Sequence, residues 1–290
     1  MVRRATMVSD KQGGLTMPEL PEVETIRRGL SKSILNKTIE GAVVRRTDLR
    51  RPIMTSFAGQ VLGKVITTID RRGKYLLLNL SDESVVIIHL GMSGRLVIGR
   101  DEKPERHDHV ILSLSDGITV KYNDPRRFGS VDLTNRRDLL GHPAIRMLGV
   151  EPLTKEFNEG WLSDRLLGRQ APIKNLLMDQ RIVAGLGNIY VCESLFLAGI
   201  SPRRAGANIK GVRIERLVGS IRKVLTEAIE AGGSSLRDYV QASGELGYFQ
   251  HRFKVYNREG QPCINGPPTH YIGRLVQANR STFFCSSCQR

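Results

Sequence analysis

Near its start the chain carries Pro18-Glu19-Leu20-Pro21-Glu22-Val23, and the first two of these residues could do covalent chemistry. If Met17 is the translation start and is removed, Pro18 presents a free secondary amine beside the Glu19 carboxyl. An α-amine titrates at about pH 7.7–8.0, so about 10–20% of it is neutral and nucleophilic at pH 7. Such an amine can attack a sugar carbon and form an iminium. If Met1 is the start, the Pro18 nitrogen is an amide and cannot attack.

Six further segments place chemically capable residues among glycines and apolar runs. In chain order they are Arg72-Gly-Lys74-Tyr-Leu-Leu, His89-Leu-Gly-Met-Ser-Gly94, His107-Asp-His109, Asp124-Pro-Arg-Arg-Phe-Gly129, Gly185-Leu-Gly-Asn-Ile-Tyr190 and Arg280-Ser-Thr-Phe-Phe-Cys285. With the Pro18 segment they resemble, over about residues 17–290, the formamidopyrimidine-DNA glycosylases. These are base-excision repair enzymes that remove oxidised purines such as 8-oxoguanine. Leu20 favours this branch over the endonuclease VIII-like enzymes, which prefer oxidised pyrimidines and remain the alternative.

The resemblance implies four catalytic residues. Pro18 is the nucleophile that attacks C1′ as the base leaves, and Glu19 is the general acid/base, supported by Glu22 one turn further on. A secondary amine gives an iminium that is cationic without further protonation, and this electron sink lets successive eliminations expel both phosphates. Lys74 and Arg280 assist these eliminations in the family. By itself, Pro-Glu is also an ordinary first turn of a helix, and Lys74 an ordinary solvated lysine at a strand end.

Further residues match the positions with which the family binds DNA. An enzyme that acts on a base inside a duplex must extrude it and fill the space, and the resemblance gives this role to Met92, Arg126 and Phe128. Met92 and Phe128 alone could equally be core residues. The matched DNA-contacting residues are His107, Arg169, Lys174 and Asn188. For Asn188, the neighbouring glycines would let backbone amides approach a phosphate at a helix start. The resemblance also implies a loop at 234–248 that closes over the extruded purine.

Three of the four cysteines lie in the last 28 residues, a distribution that indicates a metal site more than a disulfide framework. Relatives that hold zinc have four cysteines in this finger, whereas here only Cys263, Cys285 and Cys288 are present. His270 could complete a site for one structural zinc ion. The alternative is a hairpin without zinc, held by apolar packing. Cys192 is expected to be a buried apolar residue.

The charge of the chain indicates a polyanionic partner. Forty-four Lys and Arg against twenty-nine Asp and Glu give a net charge of +15, and +13 remains without residues 1–16. Because the charge lies in the body of the protein, we expect it to bind damaged double-stranded DNA, as a monomer and without a nucleotide cofactor. We find no apolar run of the ~18–20 residues that a membrane span needs and no secretory signal, so we expect a cytoplasmic protein.

Apolar spacing divides the chain and indicates an α+β fold. A first helix is predicted at 22–35, and helical spacing returns at 173–178, 189–198 and 214–231. Six strand-like runs between about 38 and 134 predict a sandwich or barrel, at 61–66, 75–80, 85–90, 95–98, 109–114 and 118–122. Short strand-like pieces near the C-terminus lie at 253–256, 274–277 and 282–285. We expect an extension at 1–16 that is misassigned or disordered, an N-terminal catalytic β-sandwich at 17–150, a DNA-binding domain at 151–252 and a zinc-finger-like β-hairpin at 253–290. A helix–two-turns–helix in the third of these follows from the resemblance.

Overall fold

The computed structural model describes residues 17–100, 103–234 and 249–290. The expected extension 1–16, and the expected purine-covering loop from 235 onwards, lie outside these residues. The first helix, α1 (Leu20–Ile34), begins two residues earlier than predicted. Its apolar residues recur at spacings of three and four and are all buried, so α1 presents one face to the core of the N-terminal region.

Two four-stranded antiparallel sheets follow α1 and the short helix α2 (Phe57–Val61). In chain order the strands are β1 (Ile39–Val44), β2 (Ile66–Arg72), β3 (Tyr75–Leu80), β4 (Ser84–His89), β5 (Arg95–Arg100), β6 (Asp108–Leu114), β7 (Ile118–Asn123) and β8 (Ser130–Asn135). One sheet has the order β1-β6-β7-β5 and the other the order β2-β3-β4-β8. Residues of α1 and of both sheets, such as Leu30, Leu78 and Val110, share one hydrophobic core. The predicted sandwich with a leading helix is confirmed.

One of the six predicted strands is wrong. The run 61–66 is not a strand, because Val61 ends α2 and the chain turns at Gly63, which has φ of +74°, before β2 starts at Ile66. Val61 and Ile66 are both fully buried. The apolar pattern therefore predicted the burial of these residues correctly, but it did not predict the type of secondary structure.

The second half of the chain is helical, as predicted, with α3 (Glu159–Leu166), α4 (Ile173–Met178), α5 (Asn188–Ala198) and α6 (Val212–Glu230) around a second core. Two turns at 180–185 separate α4 from α5, which gives the expected helix–two-turns–helix. Of the helices in the described residues, none is long and apolar enough to cross a membrane.

The C-terminal hairpin consists of β9 (Gly273–Gln277) and β10 (Arg280–Phe284), and β10 packs against α5. The segment 253–256, predicted to be strand-like, is not a strand. Its amides at Lys254, Val255 and Tyr256 donate instead to the buried carboxylate of Glu193 on α5. This carboxylate takes the place of a strand partner and ties the hairpin region to the helices.

Candidate active site

Two buried carboxylates stand at the N-terminus of α1. Glu19 follows the buried Pro18, and its backbone amide donates a hydrogen bond of 3.0 Å to Glu22 Oε2. This bond occupies one of the amides that the first turn of a helix leaves without a backbone acceptor. Glu19 and Glu22 retain only 2% and 1% of their exposure, so each must be stabilised by specific partners.

The partners of Glu19 come from the other half of the chain. Its Oε1 accepts a hydrogen bond of 2.9 Å from the Ile189 amide, and its Oε2 accepts one of 3.3 Å from the Tyr190 amide. Both amides belong to the first turn of α5, where free N–H groups and the helix dipole favour an anion. We expected these amides to receive a DNA phosphate. In the structure these two amides bind the Glu19 side chain instead, and a DNA contact of Asn188 stays a prediction.

The glycines before α5 make room for α1. A Cβ at Gly187 would lie 2.3 Å from Glu19 Cδ, and a Cβ at Gly185, where φ is +87°, would lie 2.7 Å from Leu20 Cδ1. The Leu20 amide also donates to the Gly185 carbonyl at 3.0 Å. Gly-Leu-Gly is therefore needed for the approach of α1, a role that its sequence alone did not indicate.

Electrostatics tune Glu19 towards proton transfer. Burial raises the pKa of Glu19 to about 7; the negative charge of Glu22 acts in the same direction, while Lys74 and the two amide bonds oppose the shift. Burial lowers the pKa of the Lys74 ammonium, and Arg280 adds to this effect against the attraction of Glu19. An acid with a pKa near neutrality is present in both protonation states at pH 7, as a general acid/base requires.

Glu22 connects the site to the end of the helical region. Its Oε1 accepts hydrogen bonds of 2.8 Å from both the amide and the hydroxyl of Ser234, and another from the Tyr190 hydroxyl. Burial, followed by the charge of Glu22, raises the pKa of Tyr190 well above its ordinary value, so this phenol stays a donor. Ser234 and Tyr190 were not predicted as site residues. In sequence, Tyr190 was marked only as the end of a matched segment, and Ser234 only as the first residue of the expected purine-covering loop.

Lys74 is buried rather than solvated at a strand end. The turn that precedes Lys74 is held by Glu151, which lies between the β-sandwich and the helical region. The Glu151 carboxylate accepts hydrogen bonds of 2.6 Å from Arg71, 2.8 Å from Arg72 and 2.6 Å from the Gly73 amide. Glu151 was not predicted either, because it is distant in sequence and lies in no recognisable motif.

Arg280 is exposed at the turn between β9 and β10. The next residue, Ser281, is bound by Lys174 and Asn188, which were both predicted to contact DNA. Lys174 is fully buried, with its ammonium donating to Thr282 Oγ1 at 2.6 Å and to the Ser281 carbonyl at 3.2 Å. The Asn188 amide donates to the same carbonyl at 2.9 Å, while Asn188 Oδ1 is buried without a protein partner. In this arrangement Lys174 anchors the hairpin and does not present its charge to a ligand.

The three predicted space-filling residues lie on two adjoining loops. Arg126 and Phe128 are exposed on the β7–β8 loop, with the guanidinium carbon 4.8 Å from the ring centroid, and the half-buried Met92 lies on the β4–β5 loop. A Cβ at Gly91 would lie 2.4 Å from the Phe128 carbonyl carbon, so the loops touch. The structure thus brings together residues that are more than thirty positions apart.

The other two predicted contacts remain open to a ligand. His107 is half-buried at the start of β6, with its ring in an edge contact with His109. Arg169 is exposed after α3, where its carbonyl accepts from the Ala207 amide at 2.8 Å. Both can offer a side chain to a phosphate, but neither contacts Glu19 or Lys74 in the described interactions.

The finger brings its three proposed cysteine ligands together, and His270 adjoins one of them. The sulfur atoms of Cys263, Cys285 and Cys288 all lie within 4.8 Å of one another, so three thiols could hold a metal ion. Cys263 Sγ lies 3.7 Å and His270 Nδ1 3.4 Å from Cys288 Sγ. Zinc bonds of about 2.3 Å to sulfur and about 2.0 Å to nitrogen give tetrahedral edges of about 3.8 and about 3.5 Å, so these two distances are those expected of zinc ligands. Cys192 is buried in the apolar cluster beside the finger, as expected.

Comparison with known proteins agrees with this geometry. The family model described as the formamidopyrimidine-DNA glycosylase N-terminal domain matches residues 17–131, and that of the H2TH domain of the same enzymes matches residues 148–240. Proteins named formamidopyrimidine-DNA glycosylase from Dinoroseobacter shibae and Cereibacter sphaeroides are each 50% identical to this chain, over 94% of it and all of their own length.

Solved structures give the same result. The Lactococcus lactis Fpg in complex with abasic-site DNA is 35% identical over 94% of this chain and 99% of its own, with a TM-score of 0.85. The MutM (Fpg) protein from Thermus thermophilus is 40% identical over 94% of this chain and 98% of its own, with a TM-score of 0.84. The chain belongs to the formamidopyrimidine-DNA glycosylase family.

Proposed function

We propose that this protein is a base-excision repair DNA glycosylase and abasic-site lyase that removes oxidised purines, 8-oxoguanine and formamidopyrimidines among them. The observation that carries the proposal is the Glu19 carboxyl, which is buried beside Pro18, bound to the α5 amides and poised with a pKa of about 7. Support for the substrate comes from relatives that bear this name and from L. lactis Fpg structures with Fapy-dG and abasic-site DNA.

Pro18 performs the covalent step once its nitrogen is a free amine. The nitrogen lone pair attacks C1′, and the bond to the base breaks with its electrons going to the base. The Pro18 nitrogen then loses its proton, which neutralises the departing base, and its lone pair expels the ring oxygen to leave an iminium between Pro18 and C1′. Glu19, in its protonated form, donates to the opening sugar oxygen. The iminium acidifies C2′, so removal of a proton there expels the 3′ phosphate, and a second elimination expels the 5′ phosphate.

Lys74 and Arg280 serve the eliminations. Lys74 is buried within the field of Glu19, and burial lowers the pKa of its ammonium, which brings it closer to accepting a proton. Arg280 presents a planar, permanently charged fork at the hairpin turn, suited to a phosphate oxygen. The charge of Arg280 helps to lower the pKa of Lys74, which supports placing both cations in one site.

The duplex lies between the two halves of the protein in this proposal. His107, Arg169 and Asn188 contact its backbone, with Lys174 as a candidate whose burial favours an anchoring role instead. Met92, Arg126 and Phe128 fill the space of the extruded base. The net charge of +15 supports a polyanionic partner. We further propose a monomer in the cytoplasm, with no nucleotide cofactor.

The domain division follows the hydrophobic cores. We propose an extension at 1–16, a catalytic β-sandwich domain at 17–150, a DNA-binding helical domain at 151–252 and the finger at 253–290. These boundaries are supported by three separate clusters of buried apolar residues, in the β-sandwich, among the helices and beneath the hairpin. The match to the N-terminal family model begins at residue 17, which supports Pro18 as the mature first residue.

The finger is proposed to hold one structural zinc ion through Cys263, His270, Cys285 and Cys288. A Cβ at Gly266, within the window where relatives have the absent cysteine, would lie 2.2 Å from His270 Nδ1, so the imidazole occupies that space. When bound, zinc would link the hairpin to the loop before it and so stabilise the hairpin turn that carries Arg280. No reaction step passes through the metal.

Borohydride trapping tests the proposal. Protein that begins at Pro18, verified by terminal sequencing and intact mass, should form a covalent adduct with a duplex containing 8-oxoguanine and should cleave it. A chain that retains Met1 should form none, and it would act only as a lesion-binding protein. Adducts from a verified Met1 chain would overturn the nucleophile assignment, and faster excision of oxidised thymine would favour the endonuclease VIII-like alternative.

A further inference from the structure

Asp124, which directly follows β7, is a fully buried carboxylate with three neutral donors. Its Oδ1 accepts a hydrogen bond of 2.6 Å from the Ser93 hydroxyl. Its Oδ2 accepts a bond of 2.9 Å from the Gly129 amide and lies 3.3 Å from the Tyr122 hydroxyl, whose single proton is shared with the His89 carbonyl oxygen at 3.2 Å. A carboxylate removed from water in this way is costly unless these donors stay in place, so their positions are strongly coupled.

Each of these loop donors adjoins a residue proposed to fill the space of an extruded base. Ser93 follows Met92, and Gly129 follows Phe128. The Arg126 amide donates to Ser93 Oγ at 3.2 Å, so the third residue is linked to the same carboxylate through one hydroxyl. One buried group therefore connects both loops.

The surroundings leave the loops little freedom. A Cβ at Gly129 would lie 1.8 Å from the Tyr122 hydroxyl, and His109 Nε2 lies 2.8 Å from the Asp124 carbonyl oxygen. Burial, followed by the charge of Asp124, raises the pKa of Tyr122, so its hydroxyl remains a donor. The Arg126 guanidinium lies over the Phe128 ring, which restrains the two side chains on the exposed side.

We propose that Asp124 is a positioning residue that holds Met92, Arg126 and Phe128 as one preorganised wedge, and that this wedge separates damaged from undamaged DNA. The proposal rests on the proposed function. A wedge that must be ordered during binding pays the entropy of its loops and side chains, whereas one already held by Asp124 does not. Loss of Asp124 should thus weaken lesion binding and leave non-specific binding to the backbone charge unchanged.

The test uses the full chain beginning at Pro18 and two duplexes, one undamaged and one with a tetrahydrofuran abasic-site analogue. The measured quantity is the ratio of their dissociation constants, for wild type, Asp124→Asn, Ser93→Ala and the control Asp132→Asn. Asp132 lies on β8, and its carboxylate contacts His142 and the Leu133 amide. A 2-aminopurine next to the base opposite the analogue reports insertion through its fluorescence increase.

We expect Asp124→Asn to lower this ratio about tenfold and Ser93→Ala about threefold, since hydrogen bonds to a buried charge are lost. The 2-aminopurine signal should fall in the same order, while undamaged-duplex binding, its salt dependence and the Asp132→Asn ratio stay at wild-type values. Folded Asp124→Asn protein with a wild-type ratio and fluorescence would overturn the inference. If Asp124→Asn does not fold, an unchanged ratio in Ser93→Ala overturns it. A wild-type protein without lesion preference would instead contradict the proposed function.

Discussion

Glu19, at the first turn of α1, accepts a hydrogen bond of 2.9 Å from the amide of Ile189, at the first turn of α5. The two residues are 170 positions apart in sequence, and α1 packs with the sandwich core while α5 belongs to the helical core. The proposed acid of the N-terminal domain is therefore oriented by the second domain. Any change in how the halves pack would move this carboxyl relative to the Pro18 nitrogen.

Glu19→Gln should reduce base excision by about 100-fold or more, because it removes the proton donor while keeping the volume of the side chain. Binding to lesion-containing duplex should change little. In the wild type, the acid form of Glu19 is lost above its pKa of about 7, while the neutral form of the Pro18 amine increases up to about pH 8. Excision should therefore pass through a maximum between about pH 7 and pH 8 and decline above it, and the decline at high pH reports Glu19. Single-turnover excision from pH 5.5 to 9 measures both effects. Wild-type rates in the variant would remove the acid role.

The same substitution should change the pH dependence of stability. The pKa of Glu19 is raised above the ordinary 4.5, so the folded state keeps a proton that the unfolded state loses between about pH 4.5 and 7. Wild-type stability should fall across this window relative to Glu19→Gln, by up to roughly 3 kcal/mol. Urea unfolding of both proteins at pH 5 and pH 8 gives the difference. If the two proteins differed in free energy of unfolding by the same amount at both pH values, the raised pKa of Glu19 would be contradicted.

Gly187→Ala should disturb the same carboxyl from the opposite side. The added Cβ would lie 2.3 Å from Glu19 Cδ, which the buried carboxyl cannot easily avoid. We expect a destabilisation of about 1–3 kcal/mol and at least a tenfold slower excision. The matched control is Gly219→Ala on the exposed face of α6, where a Cβ meets nothing within 4 Å. That variant should keep full activity and gain up to about 1 kcal/mol of stability.

Lys174→Met and Arg169→Ala should separate anchoring from DNA contact. Arg169 is exposed, so its loss should weaken binding to all duplexes and lower the slope of log K against log salt by about 0.9. Lys174 is buried on Thr282 and Ser281, so Lys174→Met should leave that slope unchanged and slow the elimination step through the displaced Arg280. Binding titrations at four salt concentrations give the slope for each variant. Strand cleavage of a preformed abasic site measures the elimination step. A reduced slope in Lys174→Met would show that its ammonium reaches a phosphate after all.

Removal of the finger metal should loosen the hairpin. Untagged protein should contain about one zinc ion per chain, and His270→Ala should lower this content together with DNA binding and elimination. Cys192→Ala is the matched control, because that thiol lies in the cluster beside the finger but outside the group of three sulfurs. Elemental analysis and activity before and after chelation provide the measurement. Metal-free wild-type protein with full activity would favour the alternative of a hairpin held by apolar packing.

The sequence by itself determined the family, the α+β class and the order of the elements. Periodic spacing marked α1, α4, α5 and α6 to within two residues, because one buried face imposes a local repeat of three and four. Residue types at fixed spacing also pointed to Pro18 and Glu19, and to the thiols and imidazole of the finger. The roles of all these residues remain predictions.

Only the tertiary structure decided which partner each of these groups has. Glu19 on the α5 amides, Lys174 beneath β10 and Glu193 on the segment 253–256 all join residues at least 60 positions apart. Such contacts leave no period in the sequence, because they depend on how separate elements pack and not on the local chain. For the same reason the apolar run 61–66 showed that its ends are buried, but not that Val61 closes a helix.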